Sequence, residues 1–470
     1  MKSYLIMNVC HARKRKRHFT NPHTVIIIKS NLKQRSESVK KIFRFPLKQH
    51  IGASAAPTIV KDDRIVRGQL IASMEEDQLG ANLYSSVSGV ATEVNHREIV
   101  ILADEIQSEE YEPLKQDTPL ALIKEAGIVG LGGAGFPTYA KLAQPLSENG
   151  VVIVNGAECE PILGHNIAAI EKNPAQLIRG LQIVMDIVKV KKGIIAIKEV
   201  HTKAIARLEE VLKDDRIMLS TLPNLYPMGE ERAIIRETLG VLLGVESLPS
   251  EADAVVINAE TICRIQEAVD LKKPLIEKNM TVAGKLKGNQ KLIQIVENVP
   301  LGMSVEDVFE LAGGLEEGYG ELIMGGPFTG KRTDLKEPII KTTGGLIAAE
   351  CFMKGPDKIG LLVCACGANQ ERLEEIAASM GSRVAGVEYC KQAHPVKNSF
   401  KCENPGRCPG QVQKVMALKK AGAQAVLISN CTDCSNTVMS CAPKMGLPVY
   451  HCTDGALRAV NEKLIRKIHK

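Results

Sequence analysis

Residues 130–141 read GLGGAGFPTYAK, and this stretch decides the fold of the chain. Its four glycines carry no Cβ, so their backbone N–H groups can approach an anion closely. Pro137 suits the first turn of a following helix, and a helix N-terminus attracts phosphate. Lys141 stands one turn further on, within reach of the same anion. The stretch predicts a nucleotide-phosphate cradle, with a tight structural turn as the alternative.

Helices and strands alternate on the carboxyl side of this loop. Residues 151–157 (VVIVNGA) predict a buried strand, residues 174–188 an amphipathic helix, and residues 192–198 (KGIIAIK) a second strand. Alternation of this kind is typical of βαβ units and of a parallel sheet. We therefore expect a Rossmann-like α/β domain over residues 106–275.

Three further domains are predicted around it, which makes the fold class multidomain α/β and α+β. Residues 43–105 contain short alternating strands separated by glycine and proline, a pattern typical of a small barrel or sandwich. Residues 276–350 predict a compact α+β module, and residues 351–470 predict a second, cysteine-rich parallel α/β domain.

Residues 1–42 are strongly basic. They hold eleven Lys and Arg against one acid, while the whole chain carries a net charge of +6, so the remainder is net negative. Such a run can bind nucleic acid or anionic lipid, but no apolar segment or cleavage site follows that would make it a signal peptide. We predict an unstructured extension, or one translated upstream of a start at Val39. No function and no nucleic-acid partner are assigned to it.

Cysteines are concentrated in the last domain, where ten of the thirteen lie between residues 351 and 452. Without a secretory signal, thiol redox chemistry or metal ligation is favoured over a disulfide framework. Four of these cysteines each end a predicted strand: Cys364, Cys390, Cys431 and Cys452. Because the carboxyl ends of parallel strands share one edge of a sheet, these thiols should lie close together.

Three polar motifs follow the glycine loop: NGAECEP (residues 155–161), YPMGEE (226–231) and VINAET (256–261). The four motifs, in this order, resemble those of the flavin subunit of complex I and of the C subunit of the Rnf complex. The resemblance implies that they hold FMN beside NADH. It assigns cofactor binding to Gly130, Gly132, Gly133, Lys141, Asn155, Glu160, Tyr226, Gly229, Glu230 and Asn258. Ala157 is a departure, because the complex I subunit has an acid there.

The flanking modules resemble the same family. Residues 46–53, 68–72 and 85–94 are similar to the amino-terminal barrel-sandwich hybrid domain of Rnf C. Residues 325–332 and 338–348 resemble the ligand-binding β-grasp module, of the SLBB type, that follows the flavin domain there. The resemblance implies these two folds for residues 43–105 and 276–350.

The last domain departs from Rnf C. That family continues into two C-x-x-C-x-x-C-x-x-x-C-P ferredoxin runs, and this sequence contains neither. It has instead Cys364-x-Cys366, Cys402-(x)5-Cys408-Pro and Cys431-x-x-Cys434. This pattern resembles the small iron–sulfur subunit that links hydrogenases to heterodisulfide reductase. It is more similar still to the proline reductase-associated electron-transfer proteins of the PrdC family, which implies electron transfer to D-proline reductase.

Three uses of these thiols remain open. An iron–sulfur cluster could be ligated by some combination of Cys364, Cys366, Cys402, Cys408, Cys431 and Cys434. A redox relay could run through the dithiols Cys431/Cys434 or Cys364/Cys366. The third alternative is zinc ligation or structural burial.

The sequence thus predicts an Rnf C-like oxidoreductase component that passes electrons from NADH through FMN and a cysteine centre to a partner reductase. The alternatives are an Rnf C-type subunit of a membrane-associated NADH:ferredoxin complex and a zinc-binding adaptor without enzymatic activity. No apolar run approaches the roughly 18 to 20 residues that span a bilayer. We therefore expect a cytoplasmic protein with at most peripheral membrane association.

Overall fold

The computed structural model describes residues 26–29, 41–133, 135–288, 292–397 and 399–466. Four domains follow one another along these ranges. None of the helices within them combines the length and the apolar character needed to cross a membrane.

The first domain is built from short antiparallel strands. Strand β1 (Ile26–Lys29) precedes this domain and belongs to the sheet of the third domain. The elements of the first domain are β2 (Ile42–Pro46), β3 (Ala56–Pro57), β4 (Arg64–Ile65), β5 (Leu70–Ser73), β6 (Leu83–Tyr84), β7 (Gly89–Val94) and β8 (Glu98–Ala103). They form two sheets, with the orders β2-β8-β7-β4 and β3-β5-β6. Phe43, Ile65 and Ile101 are buried between the strands, so each strand places alternate apolar residues in one core.

The second domain is a parallel α/β domain, as predicted. Its elements are α1 (Pro119–Glu125), α2 (Thr138–Leu142), β9 (Val151–Gly156), α3 (His165–Lys172), α4 (Pro174–Val188), β10 (Lys192–Lys198), α5 (Thr202–Val211), β11 (Ile217–Leu222), α6 (Glu231–Leu239), β12 (Ala254–Asn258) and α7 (Ala259–Leu271). The strand order is β11-β10-β9-β12, with all neighbours parallel. The chain adds β10 and β11 on one side of β9 and then places β12 on the other side. This reversal is a topological switch point, where ligands bind to open α/β sheets.

The third domain is a mixed sheet with one helix. Its elements are β13 (Glu277–Gly284), β14 (Ile293–Pro300), α8 (Val305–Leu311), β15 (Glu321–Met324), β16 (Lys331–Thr333) and β17 (Gly345–Ala349). The strand order is β1-β14-β13-β17-β15-β16. Ser304 caps α8, because its hydroxyl accepts a hydrogen bond from Asp307 N at 3.1 Å.

The strand β1 corrects the prediction that residues 1–42 are unstructured. Ile26–Lys29 pairs in parallel with β14 and extends the sheet of the third domain by one strand. The physical reason is the β-branched run IIIK, which suits an edge strand although basic residues surround it. The other residues of that segment, up to residue 40, lie outside the described ranges.

The fourth domain is the predicted second parallel α/β domain. Its elements are β18 (Lys358–Val363), α9 (Gln370–Ser379), β19 (Arg383–Tyr389), β20 (Ala393–Val396), β21 (Ser399–Cys402), α10 (Val412–Lys420), β22 (Ala425–Ile428), α11 (Thr432–Cys441), β23 (Val449–His451) and α12 (Asp454–Ala459). The parallel sheet has the order β19-β18-β22-β23, and β20 and β21 form a separate hairpin. Cys364, Cys390 and Cys452 directly follow their strands, and Cys431 follows β22 after two residues, so the predicted strand-end positions are confirmed.

Helix α12 packs away from its own sheet. Ala456 and Val460 are buried against Ile347 and Ala349 of β17, in the third domain. Glu350 N also donates a hydrogen bond to Gly455 O at 3.0 Å. The third and fourth domains therefore share part of one apolar core.

Candidate functional site

Two asparagines end the central strands of the second domain. Asn155 is the partner of Asn258 in the register between β9 and β12, so both side chains stand at the switch point. The side chain of Asn155 donates to Gly229 O at 2.9 Å and accepts from Ala157 N at 3.1 Å. Asn258 caps α7 by accepting from Glu260 N at 2.9 Å. Both amides hold the loops at this edge in place.

The glycine loop lies over the same edge. Gly130 N donates to Phe136 O at 2.9 Å, which closes the loop, and Leu131 N donates to the hydroxyl of Thr261 at 3.1 Å. A Cβ on Gly132 would lie 2.4 Å from Nδ2 of Asn258, so this position requires glycine. A Cβ on Gly133 would meet no atom within 4 Å, and Gly133 is exposed. The loop therefore leaves open space above Gly133, directly beside the switch point.

The predicted helix after the loop, α2, has five residues, so it contributes few free N–H groups. Lys141, at its C-terminal end, donates to Val256 O at 2.7 Å and forms an ion pair with Glu231. Its ammonium group is thus held at the carboxyl ends of the strands. Glu230 caps α6 and pairs with Arg232 at 2.8 Å.

Two other residues that are predicted to bind the cofactor contact the neighbouring domains. The Glu160 carboxylate accepts hydrogen bonds from Phe328 N at 2.8 Å and from Thr329 N at 2.9 Å. Burial raises the pKa of Glu160, and these hydrogen bonds act in the opposite direction. The Tyr226 ring stacks on Phe328, and its hydroxyl donates to Cys366 O. Their contact with a cofactor stays a prediction.

The donor set fits a phosphorylated ligand. An open glycine cradle, a lysine fixed at the strand ends and two asparagines at a switch point are the features that bind a nucleotide phosphate through backbone N–H groups and one positive charge. The empty volume that a Cβ on Gly133 would occupy is the observation that supports this fit.

Comparison with known proteins agrees with this geometry. Residues 123–267 match the family described as the Nuo51 FMN-binding domain, and residues 27–107 match the RnfC barrel sandwich hybrid domain. The C subunit of the proton-translocating ferredoxin:NAD(+) oxidoreductase complex of Clostridium ljungdahlii is 33% identical over 326 residues, covering 65% of this chain and 70% of that protein. The chain belongs to the Rnf C family.

Other members and relatives match with similar identity. The C subunit of the Na(+)-translocating ferredoxin:NAD(+) oxidoreductase complex of Acetobacterium woodii is 31% identical over 336 residues, which cover 67% of this chain and 74% of that protein. Cobalamin reductase PduS of Salmonella typhimurium is 35% identical over 259 residues, which cover 55% of this chain and 52% of the reductase. The chain thus spans about half the length of that reductase.

The family matches confirm two predictions. Residues 41–103 form the barrel-sandwich hybrid domain of the Rnf C family, and the second domain is an FMN-binding domain. FMN is therefore its cofactor, and the matched range contains the glycine loop and all three polar motifs. The two family matches reach no further than residue 267, so the β-grasp assignment of the third domain stays a prediction.

Seven cysteines gather at the carboxyl edge of the fourth domain. They are Cys364, Cys366, Cys390, Cys402, Cys408, Cys431 and Cys434, here called the thiol cluster, and each lowers or raises the pKa of a neighbouring thiol. The Sγ atoms of Cys390 and Cys434 are 4.0 Å apart. Cys390 belongs to the cluster although it is not part of any close-spaced cysteine motif, and its strand-end position is the only sequence signal for it.

Neighbouring thiols shift the pKa values of the cluster in both directions. A hydrogen bond with Cys434 lowers the pKa of Cys408 to about 6, and one with Cys364 lowers the pKa of Cys431 to about 5. The pKa of Cys434 is raised for the complementary reason, since it donates to its neighbours. Cys366 and Cys402 form a similar pair, with the pKa of Cys366 raised and that of Cys402 lowered.

Among the described residues, no group of three or more His, Cys, Asp or Glu side chains is arranged to hold a metal ion. Ligation of a metal by Cys364, Cys366, Cys402, Cys408, Cys431 and Cys434 stays a prediction.

The thiol cluster lies against the FMN-binding domain. Arg232 of α6 is buried and donates to Cys402 O at 2.7 Å. Arg236 of the same helix donates to Pro405 O at 2.8 Å, in the loop between Cys402 and Cys408. Thr432, next to Cys431, accepts a hydrogen bond from Tyr226 N at 3.0 Å. The two candidate redox sites are thus joined through directly bonded residues.

Proposed function

We propose that the protein is an FMN-dependent electron carrier that takes electrons from NADH and passes them through the thiol cluster to a partner reductase. The observation that carries this proposal is the direct contact between the YPMGEE motif and the thiol cluster, in which Tyr226 bonds both to Cys366 and to Thr432. Electron transfer requires adjacent centres, and this contact supports the proposal because it joins a motif assigned to the flavin site to the cysteines.

The chain would bind FMN at the glycine loop, with the phosphate at Gly132, Gly133 and Lys141. When bound, FMN accepts a hydride and releases electrons singly or in pairs. Asn155 and Asn258 would keep the loop ends fixed, since each is already bonded to its own backbone neighbourhood. Tyr226 and Phe328 would exclude water between this site and the cysteines, because Phe328 is fully buried and Tyr226 nearly so.

A cleft beside the cluster offers a route for the acceptor. It has a volume of about 490 Å³ and is lined by Cys364, Tyr389 and Phe400 among others. The rings of Tyr389 and Phe400 stack with centroids 4.4 Å apart and form one apolar wall. Glu371 and Glu374 lie at the same cleft. An acceptor protein would reach Cys364 here without approaching the glycine loop.

An absorption spectrum of the anaerobically purified protein tests the proposal. We expect a flavin band near ~450 nm that bleaches on addition of NADH. Thiol counts before and after NADH, with iron and zinc analysis, would then show whether electrons reach the cluster. A protein that releases no flavin on denaturation and holds only zinc would be the non-enzymatic adaptor instead.

We propose D-proline reductase as the electron acceptor. The support is the resemblance of the cysteine pattern in residues 364–434 to proline reductase-associated proteins, together with the missing ferredoxin runs. The test is NADH-dependent reduction of D-proline by purified reductase with this protein added, compared with the reductase alone. No stimulation would exclude this acceptor and leave the flavin assignment intact.

The second candidate is a C-type subunit of a membrane-associated ferredoxin:NAD(+) oxidoreductase. It is favoured by the identities of 33% and 31% to proteins of such complexes. Copurification with a membrane fraction, lost at high salt, would support this alternative. Recovery in the soluble fraction at low salt would support a cytoplasmic carrier.

A further inference from the structure

We infer that Gln411 is a positioning residue that sets the reduction potential of the thiol cluster by donating hydrogen bonds to its sulfurs. This inference rests on the proposed redox role of the cluster. Gln411 is fully buried, and its side-chain nitrogen Nε2 lies 3.1 Å from Cys390 Sγ and 3.4 Å from Cys408 Sγ. The third sulfur, Cys434 Sγ, is 3.6 Å away.

The orientation of the amide follows from its other end. Lys391 N donates to Oε1 of Gln411 at 3.4 Å, so the oxygen must face the backbone N–H. The NH₂ group, which can only donate, therefore faces the sulfurs. Gln411 stands at the N-cap position of α10, yet its side chain makes no capping hydrogen bond. Its side chain is directed to the sulfurs instead of to its own helix.

The three sulfurs come from separate parts of the chain. Cys390 follows β19, Cys408 lies in the loop after β21, and Cys434 stands in the first turn of α11. The side-chain amide of Gln411 therefore contacts three separate segments of the chain at the cluster. Gln392 provides a contrast, because its oxygen Oε1 accepts a hydrogen bond from Cys402 at 3.5 Å.

The sign of the effect does not depend on the species at the cluster. If two thiols form a disulfide, its reduction breaks the S–S bond and adds two electrons, and each sulfur then either takes up a proton or carries the added negative charge as a thiolate. If the sulfurs ligated an iron–sulfur cluster, one electron would arrive, no sulfur bond would change, and part of the added charge would lie on sulfur. Donated N–H groups stabilise a sulfur that carries this charge. Gln411 should therefore raise the reduction potential.

The test is a redox titration of the full-length protein and two variants. Gln411→Met keeps the side-chain length but donates nothing, and Gln411→Glu keeps the shape but brings an acid to the sulfurs. The protein would be equilibrated in thiol buffers of defined potential, trapped with maleimide and counted by mass, with iron absorbance followed in parallel. Gln294→Met is the matched control, since Gln294 is also fully buried but its amide donates to Ala312 O at 3.0 Å, within the third domain.

We expect the equilibrium constant for reduction to fall about tenfold in Gln411→Met, a shift of about 59 mV for one electron or about 30 mV for two. The equilibrium constant for reduction should fall at least as far in Gln411→Glu, and in Gln294→Met it should equal that of the parent protein. Unchanged potentials in both Gln411 variants would overturn the inference and leave the proposed function standing. A parent protein whose cysteines show no redox transition would instead overturn the proposed function, and the inference with it.

Discussion

The ring of Tyr226 lies parallel to the ring of Phe328, with the centroids 3.6 Å apart and the planes 1° from parallel. Tyr226 belongs to the FMN-binding domain and Phe328 to the third domain, and the edge of His451, from the fourth domain, meets Phe328 at 5.2 Å. Three domains therefore meet at a single stack of rings. The hydroxyl of Tyr226 also donates to Cys366 O, so the stack borders the thiol cluster.

Removal of one ring should weaken both stability and electron transfer. Phe328→Ala deletes a fully buried ring, and we expect a loss of about 3 to 5 kcal/mol in the free energy of unfolding. The rate at which cysteine thiols appear after NADH addition should fall as well, because water can enter the junction. Phe309→Ala is the control, since Phe309 is equally buried but is not part of the stack. Equal transfer rates in the two variants would contradict the prediction.

Two adjacent glycines should respond differently to alanine. Gly133→Ala adds a methyl group to open space, so the melting temperature of the flavin-free protein should barely change. FMN affinity should fall by about tenfold or more, because the methyl group occupies the cradle; about tenfold corresponds to about 1.4 kcal/mol. Gly132→Ala would collide with Asn258 and should lower stability even without FMN. Flavin fluorescence titrations and thermal melts would separate the two effects.

The contact between Arg232 and Cys402 should protect the thiol cluster. Arg232→Met leaves Cys402 O without its donor and Glu230 without its ion-pair partner, at a cost of about 1 to 3 kcal/mol. We expect faster maleimide labelling of Cys402 in the folded protein, measured by peptide mass. Arg383→Met, which removes an exposed pair with Asp357, should leave the labelling rate unchanged.

A buried lysine predicts a specific pH dependence. Lys341 is fully buried, it donates to Asn82 O at 2.6 Å and to Gly127 O at 2.7 Å, and burial lowers its pKa from 10.5 to about 7. Between about pH 7 and pH 10.5 the Lys341 side chain is protonated in the unfolded chain and neutral in the folded protein. The free energy of unfolding should therefore rise with pH in this window, on the order of 1 kcal/mol per pH unit.

The variant Lys341→Met isolates this contribution. The difference between the parent protein and the variant, measured by denaturant unfolding at several pH values, should increase from about pH 7 to about pH 10. If the free energies of unfolding of the two proteins change with pH in parallel, Lys341 keeps its proton in the folded state.

The sequence predicts well what depends on local pattern. The parallel sheets follow from alternating buried runs such as residues 151–157, and the strand-end cysteines follow from where those runs stop. The glycine loop is recognisable because four glycines within six residues are followed by Pro137. Each of these features depends on residues that are close together in the sequence, so its prediction requires no knowledge of tertiary contacts.

Contacts between distant segments were not predictable in this way. Glu160 bonds to the loop at Phe328, 168 residues away, and Gln411 reaches sulfurs on three segments. The hairpin of β20 and β21 and the strand β1 also have weak signals, because each is short and lies at an edge. The contacts that these side chains make between domains therefore had no signal in the sequence, and the cofactor contact predicted for Glu160 stays a prediction.

The packing of α12 on β17 has a consequence for any attempt to separate the third and fourth domains. The fourth domain follows β17 in the chain, yet Ala456 and Val460 complete the core of the preceding domain. A cut at residue 351 would expose an apolar face on both products. An exchanged cysteine domain would therefore need a matching β17 surface, and the two domains should unfold as one cooperative body.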